Sequence, residues 1–349
     1  TLSGRFGTRG HEGTTNATFK EWSTANPVKE VYESDEYGDR AGNYFALNSE
    51  YSRQFSSKKH KLDVQLMLYQ RKGESKSVNT LLNASNEITN GQKSLEGGPS
   101  QGLRYRVNYN HPFSEKLRVE AGAQDPLRDS EEWNDVYYYD LANENYEIQP
   151  LFSHTSNYAR SIHAGYALMS GELDNFGYQF GFRSEYTYRD IRMENVDDVF
   201  NIDRWDYFPT VHFSYQLPKD HQLMASYSRR IDRPRGWYLE PFYTWSDAYN
   251  IRRGNPGLIP EYINSYELGY QKKLNKNSFS LELYYRTTEN RIEGIRSVYD
   301  ENVMLRTYEN VGTDYSLGTE VMFNVNLFKW WETSLTGNFY DYRVKGELE

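Results

Sequence analysis

The side chains with the widest chemical reach here are carboxylates, histidines and aromatic rings, and their spacing argues against catalysis. Glu131-Glu132 and Asp197-Asp198 are adjacent pairs. A glycosidase needs two carboxyls facing each other across a substrate, and a calcium loop needs ligands at alternate positions, so adjacency leaves only solvated loop charge. The seven histidines form no His-Glu-x-x-His arrangement, and no metal centre is expected. With no cysteine, thiolate chemistry, disulfides and sulfur-built zinc sites are excluded. Gly4, Gly7 and Gly10 are spaced three apart, which is not a dinucleotide loop. Asn16-Ala17-Thr18 and Asn83-Ala84-Ser85 match the glycosylation pattern at the frequency of chance. No nucleophile, base and orienting group can be placed together, so no enzyme and no cofactor is expected.

The rings remain. Trp205, Trp237, Tyr238, Tyr243, Trp245 and Tyr249 sit in or beside loops, with Arg233 and Arg235 among them. Two readings stand side by side. Aromatic faces and guanidinium groups could hold a ligand ring, or the rings could pack the loop and form an interfacial girdle. Arg233-Pro234 to Pro260 is rich in residues with fixed or unusual φ, which gives a long loop a defined shape.

Thirty-two Tyr, seven Trp and seventeen Phe bring the aromatic fraction to 16%, while only 37% of the 349 residues are hydrophobic. Mean hydropathy is −0.88 and net charge −9. No run approaches the roughly 20 apolar residues of a membrane helix. Strands remain available for spanning, because lumen-facing residues of a barrel are polar and each strand needs only about 10 residues. The acidic balance, without a basic arm, excludes nucleic acid as an expected partner. Thr1 to Gly10 contains no apolar h-region, so the expectation is a chain that begins after any export signal.

The clearest periodicity is two. Phe45, Leu47 and Tyr51 alternate with Asn48, Glu50 and Ser52; after a turn at Ser56 to Lys61, Leu62, Val64, Leu66 and Leu68 oppose Asp63, Gln65 and Arg71. Sliding the register by one residue would turn Asp63 and Gln65 to the apolar side. The same alternation recurs at Leu103 to Asn110, Leu117 to Gln124, Tyr158 to Met169, Tyr178 to Arg189, Val211 to Tyr215 and Leu223 to Tyr227. It continues at Tyr266 to Tyr270, Phe279 to Tyr285, Tyr315 to Leu327 and Thr333 to Phe339, with a weaker strand at Met304 to Tyr308. The total is about thirteen strands. Turns such as Ser170 to Phe176 and Lys272 to Ser278 alternate with expected loops at Gly73 to Ser100, Pro126 to Leu151, Asp190 to Trp205 and Arg229 to Tyr262. Arg343 to Glu349 is expected to be unpaired.

Short connections on one side and long ones on the other describe a transmembrane β-barrel of the bacterial outer membrane, with short periplasmic turns and long extracellular loops. Only closure satisfies every backbone group in lipid. The expected fold class is therefore all-β, an antiparallel up-and-down barrel occupying residues 1–349 as one domain segment in outer-membrane lipid. Its lumen would be lined in mixed sign by Arg104, Arg106, Arg183, Glu185, Glu267, Glu282, Arg286 and Glu320, with Arg71, Arg118, Glu120 and Arg189 beside them.

Phe208-Pro209, Ser226 to Ile231, Arg233-Pro234, Glu240-Pro241-Phe242, Gly254-Asn255-Pro256, Pro260-Glu261 and Tyr266 to Tyr270 form a specific series. Gly181 to Glu185 and Tyr308 to Gly312 extend it. The series resembles the outer-membrane β-barrel family of TonB-dependent receptors from Bacteroidetes-type bacteria, strongly in the second half and by pattern alone in the first. Glu240 stands where members of the family usually carry Asn. The resemblance implies a barrel of about 22 strands, an N-terminal plug and a TonB-contacting segment, with the plug and final strands not in this chain. It further implies a receptor and transporter that captures a siderophore, glycan or peptide and imports it with TonB energy. A surface lipoprotein is a further partner of such a receptor. The alternative is an outer-membrane barrel that moves nothing and binds a protein partner or serves adhesion.

Overall fold

The computed structural model describes residues 1–22, 30–56, 59–194, 199–247, 249–300, 303–328 and 330–346. Asp197-Asp198 lies outside the described residues. Eighteen strands are seen among them, in two sheets.

The larger sheet is the wall. It runs through β1 (Leu2–Glu21), β2 (Glu30–Gln54), β3 (Lys61–Leu82), β4 (Ile88–Pro112) and β5 (Leu117–Asp140), with short β6 (Asn145–Ile148) paired only to β5. It continues through β7 (His154–Leu173), β8 (Phe176–Met193), β9 (Val199–Leu217) and β10 (His221–Asp232). It ends with β13 (Glu261–Leu274), β14 (Asn277–Glu289), β17 (Thr313–Phe328) and β18 (Trp331–Lys345). Every neighbour is antiparallel and next in the wall's path, the up-and-down order of a barrel. Among the described residues β1 and β18 do not pair, so the barrel is open between them.

The second sheet is a four-stranded cap built from connections: β11 (Tyr243–Asp247), β12 (Asn250–Arg253), β15 (Ile292–Asp300) and β16 (Val303–Asn310). Its order is β11-β12-β16-β15, and β12 runs parallel to β16.

The periplasmic turns are tight because short hairpins demand the left-handed region, which Asp and Asn tolerate best. Asp174 at φ 51°, Lys219 and Asp220 at 62° and 61°, and Asn275 at 55° close three of them. Above the turns, side chains sort by parity. On the outer face Leu47 stands opposite Leu68, Leu68 opposite Leu103, Tyr266 opposite Tyr285 and Leu268 opposite Leu283. These large apolar residues are exposed, Leu268 at 61% and Leu317 at 60%, the reverse of a water-soluble sheet and what a lipid-facing surface requires.

The structure corrects the strand bounds. The expected loops Gly73 to Ser100, Pro126 to Leu151 and Asp190 to Trp205 are largely ladder: β3 runs to Leu82, β4 starts at Ile88, β5 reaches Asp140, β8 reaches Met193 and β9 starts at Val199. Beyond the apolar rows the outer face meets water while the inner face packs largely polar side chains such as Asn79, Gln92, Ser94 and Asn134, so apolar alternation disappears while backbone pairing continues. The β1 strand carries Gly4, Gly7, Gly10 and Gly13 with few apolar residues, which hid it from periodicity. Met304 to Tyr308 belongs to β16 of the cap and not to the wall. Arg343 is paired, opposite Tyr315, because β18 extends to Lys345.

Candidate functional site

The connection from β10 to β13 does not reach out into solvent; it folds back against the inner face of β7, β8 and β9. After Asp232 ends β10, Pro234 fixes the chain's direction, and Gly236–Tyr238 form one 3-10 turn. Tyr238 N–H donates to Arg235 O at 3.0 Å and Leu239 N–H to Gly236 O at 2.9 Å.

Four sets of contacts fasten this loop. First, Arg233 Nη2 donates to Glu185 Oε2 and to Thr187 Oγ1, while Arg183 Nε donates to Glu185 Oε1. Glu185 is buried, so one wall carboxylate is shared by a wall arginine and the loop's first arginine. Second, the guanidinium of Arg189, itself buried, donates to the carbonyls of Pro256 and Leu258 at 2.8 and 3.1 Å. Third, Gly254 N–H donates to Glu240 O at 2.8 Å and Asn255 N–H to Tyr238 O at 2.7 Å, closing the loop's neck. Only glycine fits at 254, since a Cβ there would stand 2.5 Å from Glu240 O and 2.7 Å from Tyr238 O. Fourth, Asn255 Nδ2 donates to Tyr308 O, Asn310 Oδ1 accepts from Ile259 N–H, and Asn310 Nδ2 donates to Asn290 O at 2.7 Å.

Two apolar clusters fill the space beneath. Ile191, Leu239, Leu258 and Tyr308 form one, with Tyr158, Trp237 and Tyr238 packed against it. Tyr238 stacks on Tyr308 at 3.9 Å between ring centroids, and Arg252 lies over Trp237 at 5.4 Å. Val136, Trp245 and Ile251 form the other, joining the cap to the extracellular part of β5, with Tyr243 alongside. Tyr243 O accepts from Asn134 Nδ2 at 3.1 Å. The cap is thus part of the loop's packing.

The loop and cap residues singled out from sequence therefore divide. Trp237, Tyr238, Tyr243 and Trp245 are brought together as packing, and Arg233 is an anchor. Arg235 is exposed. Tyr249 sits against Phe19 and Tyr32 at the tips of β1 and β2, with centroids 5.7 and 5.9 Å away. Trp205 is apart from all of these: it lies in β9, opposite Tyr186 on the outer face, at 58% exposure.

Arg104, Arg106, Arg183, Glu185, Glu267, Glu282, Arg286 and Glu320 all fall on the parity opposite to the apolar rows. Glu282 stands directly opposite Glu320, and Glu267 accepts from Ser226 Oγ at 2.7 Å and Ser265 Oγ at 2.9 Å. Glu267 and Glu282 line a cavity of about 580 Å³ between the wall and its periplasmic turns.

At the extracellular end a second cavity, about 240 Å³, is lined by Arg40, Glu74, Glu96, Glu132, Glu240 and Phe242 among others. Glu240 accepts from Arg252 Nη2 at 3.1 Å. Burial nonetheless pushes its carboxyl up to about 7, with the charges of Glu132 and Glu96 adding to the rise. Of the residues that fasten the loop, Asn255 lies in the motif Gly254-Asn255-Pro256 and Asn310 in Tyr308 to Gly312, whereas Arg252 stands in no motif of the sequence.

The family whose description is outer membrane protein beta-barrel family matches residues 53–349. The chain belongs to that family. Solved structures share the barrel's fold at low identity. The Serratia marcescens hemophore receptor HasR, in complex with its hemophore and heme, is 12% identical with a TM-score of 0.55, over 95% of this chain and 54% of that one. The copper transporter OprC is 11% identical with a TM-score of 0.53, over 96% of this chain and 57% of that one. The RagAB peptide transporter is 15% identical with a TM-score of 0.50, over 89% of this chain and 37% of that one. This outer-membrane barrel chain spans about half the length of HasR and OprC. No curated protein matches it in sequence.

Proposed function

We propose that this barrel segment belongs to a TonB-dependent receptor that captures a scarce or large ligand at its extracellular end and imports it through the lumen. The observation that carries this reading is the loop from Arg233 to Pro260, which is bolted to the lumen wall through Glu185 and Arg189. A loop fixed in this way converts ligand contact at its tip into force on the inner face, where a plug would lie. An adhesive barrel has no need of an inward-folded loop. HasR, OprC and RagAB are described as a receptor or transporters of hemophore-bound heme, copper and peptide, which supports import without choosing among ligand classes. The plug, TonB and a surface lipoprotein are partners in the same proposal.

The test is ligand accumulation by cells carrying the whole receptor, with and without a functional TonB, using labelled pools of metal chelates, glycans and peptides. Uptake of one pool that ceases without TonB supports import. Binding at the surface that is indifferent to TonB, with nothing entering, would establish the adhesive alternative instead.

A further inference from the structure

We propose that Arg128, Arg160 and Arg189 form an anion-binding row on the lumen wall, which holds a carboxylate or phosphate group of the ligand beneath the inward-folded loop. The proposal rests on the receptor reading above and deepens it by assigning the ligand a charge.

Register places the three side by side. Arg128 of β5 stands directly opposite Arg160 of β7, and Arg160 directly opposite Arg189 of β8. Like charges directly opposite across strands destabilise a sheet, because their Cβ atoms lie only about 5 Å apart. An anion bound across the row would supply the missing charge. Three neighbouring strands make the row roughly 10 Å wide, enough for a ligand with more than one acid group.

The chain itself neutralises little of it. Arg128 has Glu132 at 3.5 Å. Arg189 spends its Nη2 on two neutral carbonyls. Arg160 has no hydrogen bond or ion pair among the described residues, only the ring of Tyr158 at 6.0 Å. The Nε of all three is buried without an acceptor. Nearby carboxylates of the same face are already engaged, Glu185 by Arg183 and Arg233, and Asp206 by Arg204 and Tyr262. The row also sits where a ligand would be met. The loop's 3-10 turn passes over it, with the Cβ position of Gly236 4.0 Å from Arg128 Nη1. Planar guanidinium forks suit carboxylate and phosphate better than any neutral ligand.

The experiment uses the whole receptor purified in detergent, without TonB, titrated calorimetrically with citrate, with inorganic phosphate, and with glucose as the uncharged control. Citrate or phosphate should bind, glucose should not, and Arg160→Gln should weaken the anion about tenfold or more, the loss of a charged hydrogen bond. Arg160→Lys should retain part of the affinity, and Arg118→Gln, lower on the same wall, should leave it unchanged. Preference for citrate assigns a carboxylate ligand and preference for phosphate a phosphorylated one. Binding of neither, as when a carboxylate of the plug already occupies the row, overturns the proposal; so does equal binding by Arg160→Gln. Should that variant not fold, titration of the native receptor in rising NaCl decides, since anion binding that salt does not weaken refutes the row. Failure here leaves TonB-dependent uptake standing, and loss of uptake with anion binding intact would remove only the import reading.

Discussion

Arg233, the first residue after β10, and Glu185, midway along β8, are 48 residues apart in sequence and share one ion pair on the lumen face. Thr187 Oγ1 takes a second proton of the same guanidinium. Glu185 remains held by Arg183 when Arg233 is removed, so the wall should survive the loss and the loop should not. Arg233→Ala is expected to cost about 2 to 5 kcal/mol of loop docking, the range for truncating one partner of a buried charged pair. Hydrogen exchange should rise across residues 233–260 while amides of β8 stay protected. Equal deprotection of β8 would show that the pair serves the wall and not the loop.

Gly254→Ala tests the neck of the same loop. Its new methyl would press on backbone atoms, Glu240 N at 2.7 Å as well as the two carbonyls, and backbone cannot swing aside as a side chain does. The expected result is an opened loop, with limited proteolysis cutting between 236 and 258 at least tenfold faster, or about 1.4 kcal/mol. Gly236→Ala, whose methyl meets nothing nearer than 4.0 Å, is the matched control and should cut at the native rate.

Much of the wall was legible because lipid enforces it. Leu62, Val64, Leu66 and Leu68 alternate with Asp63 and Gln65 only because one face must be apolar, and the structure pairs them in that phase. Nothing enforces alternation above the membrane, so Ser75 to Leu82 read as a loop and is strand. The loop's position was unreadable for a different reason. Arg233-Pro234 and Gly254-Asn255-Pro256 mark a shaped loop, but the partners that turn it inward, Glu185, Arg189 and Asn310, lie tens of residues away. Register is equally silent in sequence, so nothing along the chain sets Arg160 beside Arg189.

Glu240 gives the loop a pH dependence whose sign follows from its environment. Its folded value of about 7 lies above the ordinary 4.5, with burial as the main cause, so the docked loop binds the proton more tightly than the released loop. The stabilisation is complete below 4.5 and is lost as pH rises through about 7. Its full size is about 3 kcal/mol, the opposing charge of Arg252 being already contained in that value. Hydrogen exchange of residues 236–258, corrected for intrinsic rate, should quicken between pH 5.5 and 8. Glu240→Gln should flatten that profile, and a variant that keeps the native slope would show that another group titrates.

The lipid-facing assignment is testable by charge. Leu68 stands opposite both Leu47 and Leu103 on the outer face, whereas Met67, its neighbour in sequence, stands opposite Arg104 on the inner one. Leu68→Arg should cost roughly 2 to 4 kcal/mol of unfolding free energy in lipid vesicles if the position lies near the bilayer centre. Met67→Arg faces water and should cost well under half as much. Reversal of that order would exchange the two faces of the sheet.

Tyr308 separates the work of its ring from that of its hydroxyl. The ring is 2% exposed and stacked on Tyr238, while the hydroxyl oxygen is buried with no hydrogen-bond partner. Removing an unsatisfied hydroxyl releases a desolvation cost, so Tyr308→Phe should hold the loop as firmly as the native residue or more so. Tyr308→Ala deletes the ring between Tyr238 and Trp237 and should cost about 3 to 5 kcal/mol, the range for an emptied aromatic site. The two variants can be ranked by the temperature at which the loop becomes protease-sensitive. Weakening of the loop by Tyr308→Phe comparable to that by Tyr308→Ala would mean that the hydroxyl has an acceptor after all, and that the cluster of three rings contributes less than its burial implies.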